Sequence, residues 1–178
     1  IIHEIRKFKP DLVLTHRPND YHPDHRAVGQ AVQDASYLVT VPHICPEVPA
    51  LRSDPVVAYM SDLFTRPNTL RADIVLNITA EFATVVRMAA CHHSQFFEWL
   101  PWHDGKLQDV PESEDARLVW LHGWLTQFVQ RRWEHFQEAV SYRLLNLSGS
   151  TLIEVYEISE YASQLGEPSR ARLFPGNV

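Results

Sequence analysis

Leu12-Val13-Leu14-Thr15-His16 is a continuous apolar run of the length expected for a sheet-buried strand. The chain enters it from a helix and leaves it through a polar loop that opens a second helix. The first helix spans residues 1–9, with Ile1, Ile2, Ile5 and Phe8 as its apolar face, and Pro10 stops it. Arg17 to Pro23 forms the loop. Val28, Ala31, Val32 and Ala35 then fall on one helical face, and His25 shares it. Helix, buried strand and helix in succession specify α/β architecture. The chain starts without Met and inside a helix, so further sequence is expected upstream.

The rest of the chain continues the pattern. Residues 38–55 carry Pro42, Pro46, Pro49 and Pro55, which keep this stretch out of regular structure. Strands are expected at residues 55–60 and 72–78, and a looser one at 151–156. Thr79 can cap a helix whose stripe is Phe82, Val85, Val86, Ala89, Ala90 and His93, with Glu81 in its first turn. A loop follows from Trp99 to Glu112. A long helix then begins at Ser113 to Ala116, with Leu121, Trp124, Leu125, Phe128 and Phe136 toward the core. The tail from Gly166 to Val178 reads as loop. No repeat or linker divides the chain, so 1–178 is expected to be a single domain.

Charge and composition exclude several functions. Sixteen Lys and Arg stand against 22 Asp and Glu, and no basic run exceeds two residues, so the chain has no electrostatic footprint for nucleic acid. No stretch approaches the roughly 20 apolar residues of a membrane span. Cys45 and Cys91 sit among apolar neighbours and read as buried or half-buried thiols of a reducing compartment.

The chemistry concentrates in Arg17-Pro18-Asn19-Asp20-Tyr21-His22-Pro23-Asp24-His25, which places two histidines and two aspartates in its last six residues. Ligands of an open α/β sheet bind at the carboxyl ends of its strands, where this loop lies. Imidazole and carboxylate suit Zn²⁺ or Fe²⁺. His25 belongs to the first helical turn and can be held as a ligand, whereas His22 lies in the loop and reaches the site from another side. Asp24 is near enough to orient one of the two rings. The plain alternative is a hydrogen-bonded Asx-rich turn. A lone histidine cannot hold zinc, and no HxxEH or Cys pair completes a set.

The run from Thr15 to Gly29, with His22-Pro23-Asp24-His25 at its centre, resembles the second signature of the LmbE-like, or GlcNAc-phosphatidylinositol de-N-acetylase (PIG-L), family. His92-His93-Ser94-Gln95 looks like that family's H-x-S-Q element. Tyr59, Asp62, Phe64 and Asp73-Ile74 resemble the region between them. The resemblance covers residues 10–99 well and 156–174 loosely.

It implies a three-layer Rossmann-like sandwich with a mostly parallel sheet, lacking its N-terminal portion. It also implies a zinc-dependent (or Fe²⁺-dependent) N-deacetylase that hydrolyses the acetamide of an amino sugar. His25 would be a metal ligand. His22 would stabilise the oxyanion and protonate the leaving amine, and Asp24 would orient His22. Tyr21, Asn19, Arg17 and His92 would line the substrate pocket. The family's first signature, His-Pro-Asp-Asp, supplies two further ligands and the general base, and it is absent from these 178 residues. So is the lysine that often precedes H-x-S-Q; Arg87 lies near its place. The competing expectation is a relative without catalysis that binds carbohydrate or serves a structural role. A cytoplasmic location and an N-acetylated sugar or glycoconjugate as partner follow from the resemblance. The Trp-rich helix suits either a core or a homo-oligomer interface.

Overall fold

The computed structural model describes residues 1–141 and 149–176, apart from the side chains of Ala139 and Ser141. In chain order the elements are α1 (Ile2–Phe8), β1 (Leu12–Thr15), α2 (Pro23–Ala35), β2 (Val56–Met60), β3 (Ile74–Asn77), α3 (Phe82–Ala90), α4 (Leu100–His103), α5 (Glu114–Ser141), β4 (Ile153–Ile158) and α6 (Glu167–Leu173). They fall into two compact units, residues Ile1–Leu76 with Glu154–Val178, and Asn77–Ile153.

The described residues form a four-stranded sheet in the order β1-β2-β4-β3. β1 and β2 pair in parallel, Leu12 opposite Val56 and Thr15 opposite Tyr59. β2 and β4 pair antiparallel, Ala58 opposite Ile158. β3 and β4 run in opposite directions too, because Asp73 N–H donates to the Tyr156 carbonyl and Ile78 N–H to that of Leu152. The sheet is therefore mixed and largely antiparallel, which corrects the mostly parallel sheet that the family resemblance implied. The reason is the return of the chain: after α3 and α5 it comes back beside the end of β3, where Leu152 N–H donates to Thr79 Oγ1 at 3.1 Å. β3 and β4 thus behave as a hairpin with a long excursion in place of a turn, and a hairpin is antiparallel.

In the first unit, Val56, Ala58, Ile74, Ile158 and Phe174 form a buried cluster. The apolar face expected for α1 is not what the fold buries. Phe8 is 82% exposed, and Arg6 is fully buried. The proline-rich connection has carbonyls with no ladder to enter, and the Arg6 guanidinium gathers them. It donates to the carbonyls of Leu38, Val39, Val41, Ile44, Cys45 and Val48. The tail also departs from its expected loop. Pro168 sits in the first turn of α6, where its missing N–H costs nothing, and Phe174 beyond the helix is buried.

The second unit is built on Phe82, Val86, Phe97, Leu121, Leu125, Val129 and Leu152, all buried. Each such side chain contributes about 1.5–3 kcal/mol relative to exposure. His93 was expected on that apolar stripe. It is exposed instead, with Nδ1 3.1 Å from Glu98 and Nε2 accepting from Arg117. Cys91 is also exposed rather than buried, and Cys45 is half-buried. Trp99 and Trp102 stack on each other at the surface, with centroids 5.7 Å apart. No helix among the described residues is long and apolar enough to cross a membrane.

Candidate metal centre

β1 delivers Thr15 and then His16 to the carboxyl end of the sheet, and α2 starts seven residues later with Pro23 at its first position. Proline there is preset for the helical φ and lacks only an N–H that would have no partner. His22 is the N-cap residue, extended at φ −96° and ψ 136°, and its Nδ1 accepts from Asp24 N–H at 3.2 Å. The imidazole takes the place usually filled by a Ser or Asp oxygen.

Asp20 organises the loop from beneath. Its carboxylate is 3% exposed, and Oδ1 accepts from His22 N–H at 2.8 Å, an Asx turn. The same oxygen lies 2.8 Å from His25 Nδ1, and Oδ2 lies 3.8 Å from His16 Nδ1. Arg26 Nη1 donates to the carbonyls of Asp20 and Tyr21, which closes the loop against the first turn of α2. His16 and His25 stack with centroids 3.7 Å apart and planes 5° from parallel. The approach depends on Gly29, where an added Cβ would come within 2.4 Å of the His16 carbonyl oxygen.

His16, Asp20 and His25 each offer a ligand atom, and those atoms lie within 4.8 Å of one another. Two imidazoles and a carboxylate make a donor set capable of holding a borderline-hard divalent metal. Burial, and after it the neighbouring His25, pull the His16 pKa below its ordinary value, against the opposing pull of Asp20 and Asp62. Burial, then Asp20 and Asp62, raise that of Tyr21.

The residues singled out from the sequence take different positions. His22 lies beside His25 with ring centroids 4.9 Å apart. Tyr21 meets both rings edge-on, at 5.9 Å from His22 and 5.3 Å from His25, and is 6.3 Å from Phe64. Asp24 is largely exposed, and its carboxylate is 4.0 Å from His22 Nδ1. Arg17 is buried. It donates to Asn19 Oδ1 and to the carbonyls of Phe64 and Asn68, with Asp62 3.6 Å away. Asn19 in turn donates to the Arg66 carbonyl. Arg17 and Asn19 therefore fasten the 62–68 loop beside the histidines. His92 belongs to the second unit, in the turn after α3, where its carbonyl accepts from Gln95 and Phe96.

In the sequence His16 reads as a strand-end residue, and Asp20 counts among the loop's two aspartates without a role of its own. The signal was the 16, 20, 25 spacing. An aspartate four residues past a strand-end histidine, and five before a helical one, is placed to reach both once the loop folds back.

Residues 1–36 match the family model described as "PIG-L: GlcNAc-PI de-N-acetylase". Two solved structures share the fold. One is the N,N'-diacetylchitobiose deacetylase from Pyrococcus horikoshii, at 16% identity and a TM-score of 0.57 over 90% of this chain and 49% of that one. The other is GalB, the 4-carboxy-2-hydroxymuconate hydratase of Pseudomonas putida, at 15% identity and a TM-score of 0.56 over 93% of this chain and 58% of that one. This chain thus spans about half the length of each. At such identities the likeness establishes the fold.

Proposed function

This chain belongs, by its first 36 residues, to the PIG-L/LmbE-like family, and from that premise we propose that it carries the metal-binding part of a divalent-metal-dependent N-deacetylase acting on an N-acetylated amino sugar. The observation that carries the reading is the pairing of His22 and His25 across the first turn of α2, with buried Asp20 against His25. Residues that bind a metal and residues that serve a bound carbonyl need to be this close, and a plain Asx turn does not require either imidazole.

His25 is the residue that would hold the metal, with His16 and Asp20 beside it. Zinc is the favoured ion by donor chemistry, with Fe²⁺ suited to the same donors. When bound, the metal supplies Lewis acidity to the acetamide carbonyl and lowers the pKa of a water.

The chain's own residues then divide the remaining work. Because His22 Nδ1 accepts from Asp24 N–H, the proton of the neutral ring sits on Nε2. That nitrogen donates a hydrogen bond to the carbonyl oxygen as negative charge develops there, and when the ring carries a second proton it gives one to the departing amine and returns to neutral imidazole. Asp24 Oδ2, 4.0 Å from Nδ1, favours the ring when it is doubly protonated. Tyr21 and Phe64 supply an exposed aromatic flank suited to the apolar face of a sugar ring.

One of the two structural relatives is a hydratase, so the fold alone does not choose the reaction. The choice of an amide bond rests on the family match and on the His22-Pro23-Asp24-His25 motif.

The test is Zn²⁺ binding by the full-length protein followed by calorimetry, with His25→Ala as the control and circular dichroism to check folding. Binding at about one ion per chain, weakened at least about tenfold in a folded His25→Ala, is expected. Equal binding with and without His25 contradicts the reading.

A further inference from the structure

We propose that Asp20 is the positioning residue of the centre, fixing the tautomer and ring orientation of His25, and that His16 acts as a plate behind His25 and does not share its metal. The inference rests on the reading of His25 as a ligand and divides the roles within the cluster.

An ionised carboxylate only accepts. Asp20 Oδ1 faces His22 N–H and His25 Nδ1 at 2.8 Å each, so His25 bears its proton on Nδ1 and leaves Nε2 bare. This is the tautomer in which a histidine ligates through Nε2 while a carboxylate holds its other nitrogen. Free imidazole side chains favour the opposite tautomer in water, so the fold has to impose this one.

A histidine binds a metal along a lone pair in the plane of its ring, at about 2.0–2.1 Å for zinc. His16 and His25 are parallel within 5° with centroids 3.7 Å apart. Lone pairs in parallel planes so separated do not converge on one ion. An ion midway would stand far out of both planes, at a distance nearly equal to the whole bond. His16 in this pose fixes the plane of His25, and the further ligands come from groups other than His16 and Asp20.

Asp24, the aspartate inside the motif, has a side chain 89% exposed and contacts only the His22 side, at 4.0 Å. Asp20 has a side chain 3% exposed and touches His25 directly. The two aspartates thus serve different histidines, and His22 and His25 carry their protons on opposite nitrogens.

The experiment is long-range proton–nitrogen NMR on histidine-labelled, metal-free full-length protein, which reports the protonated nitrogen of each ring, joined to Zn²⁺ titration of the same protein. Wild type is expected to show His25 protonated on Nδ1, with that proton shielded from solvent exchange, and His22 protonated on Nε2. Asp20→Ala is expected to return His25 to the Nε2-protonated form and to weaken Zn²⁺ binding about 10–100-fold. Asp20→Asn keeps a carbonyl acceptor and the Asx turn, so it covers the case in which the alanine variant does not fold. It should retain the Nδ1–H form and lose less affinity than alanine.

Wild-type His25 protonated on Nε2, or an unchanged tautomer in Asp20→Ala, overturns the proposal. So does loss of all Zn²⁺ binding in Asp20→Asn, as expected of a direct carboxylate ligand. A wild-type protein with the expected tautomer and no affinity for Zn²⁺ counts against the metal-hydrolase reading and leaves the Asp20–His25 pairing standing.

Discussion

Gly29 of α2 lies so close to the end of β1 that a Cβ on it would stand 2.4 Å from the His16 carbonyl oxygen. This contact brings the helix that carries His25 against the strand that carries His16. Gly29→Ala must push backbone from backbone, with no flexible side chain to yield. Destabilisation of about 1–3 kcal/mol is expected in urea unfolding, together with loss of the ring-current shifts of the His16–His25 stack. A variant as stable as wild type with the stack intact contradicts the close approach.

Arg6 is buried without a carboxylate partner among the hydrogen bonds it makes, which run to six carbonyls of residues 38–48. Arg6→Met removes the donor that ties those carbonyls together: those of Leu38, Val39, Val41 and Cys45 each keep one backbone N–H, and those of Ile44 and Val48 lose the guanidinium that Arg6 supplied. A loss of at least about 3 kcal/mol is expected, along with faster proteolysis within 38–48. Arg6→Lys should recover little, since an ammonium offers three donors in place of the five of the guanidinium fork. Unchanged stability in Arg6→Met contradicts this role.

His16 makes stability depend on pH. Burial, then proximity to His25, depress its folded pKa, while the unfolded ring titrates at about 6.5. Below that value the unfolded state binds the proton first. The stability His16 contributes is therefore present above about pH 6.5 and is lost as pH falls through the lower folded pKa. The urea midpoint of the metal-free protein should drop across this window, and His16→Asn should flatten the drop. Equal slopes in the two proteins contradict the assignment.

Much of this was legible in residues 10–36. Pro10 ended α1, the run from Leu12 announced β1, and Pro23 marked the first turn of α2, because each signal acts locally. The direction of β4 was not legible. It is set by where a long excursion brings the chain back, at Leu152 beside Thr79, and no local pattern encodes that. α6 was missed because Pro168 reads as a loop signal and is equally at home in a helix's first turn. The face of α1 was misread because apolar periodicity ignores what a guanidinium gains from six carbonyls. In the site, His22 and His25 stood out as a motif. Asp20 did not, since its importance lies in a 3%-exposed side chain and two contacts that only the folded loop creates.

The most direct test of the deacetylase reading is acetate release from N-acetylated amino sugars by the Zn²⁺-loaded full-length protein, followed enzymatically alongside the appearance of free amine. Equimolar acetate and amine are expected, abolished by a chelator and restored by Zn²⁺. His22→Ala is expected to lower the rate about 10²–10⁴-fold while Zn²⁺ binding persists. Release that is indifferent to chelation and to His22, or no acetate from a Zn²⁺-loaded protein, would contradict a metal-dependent deacetylase.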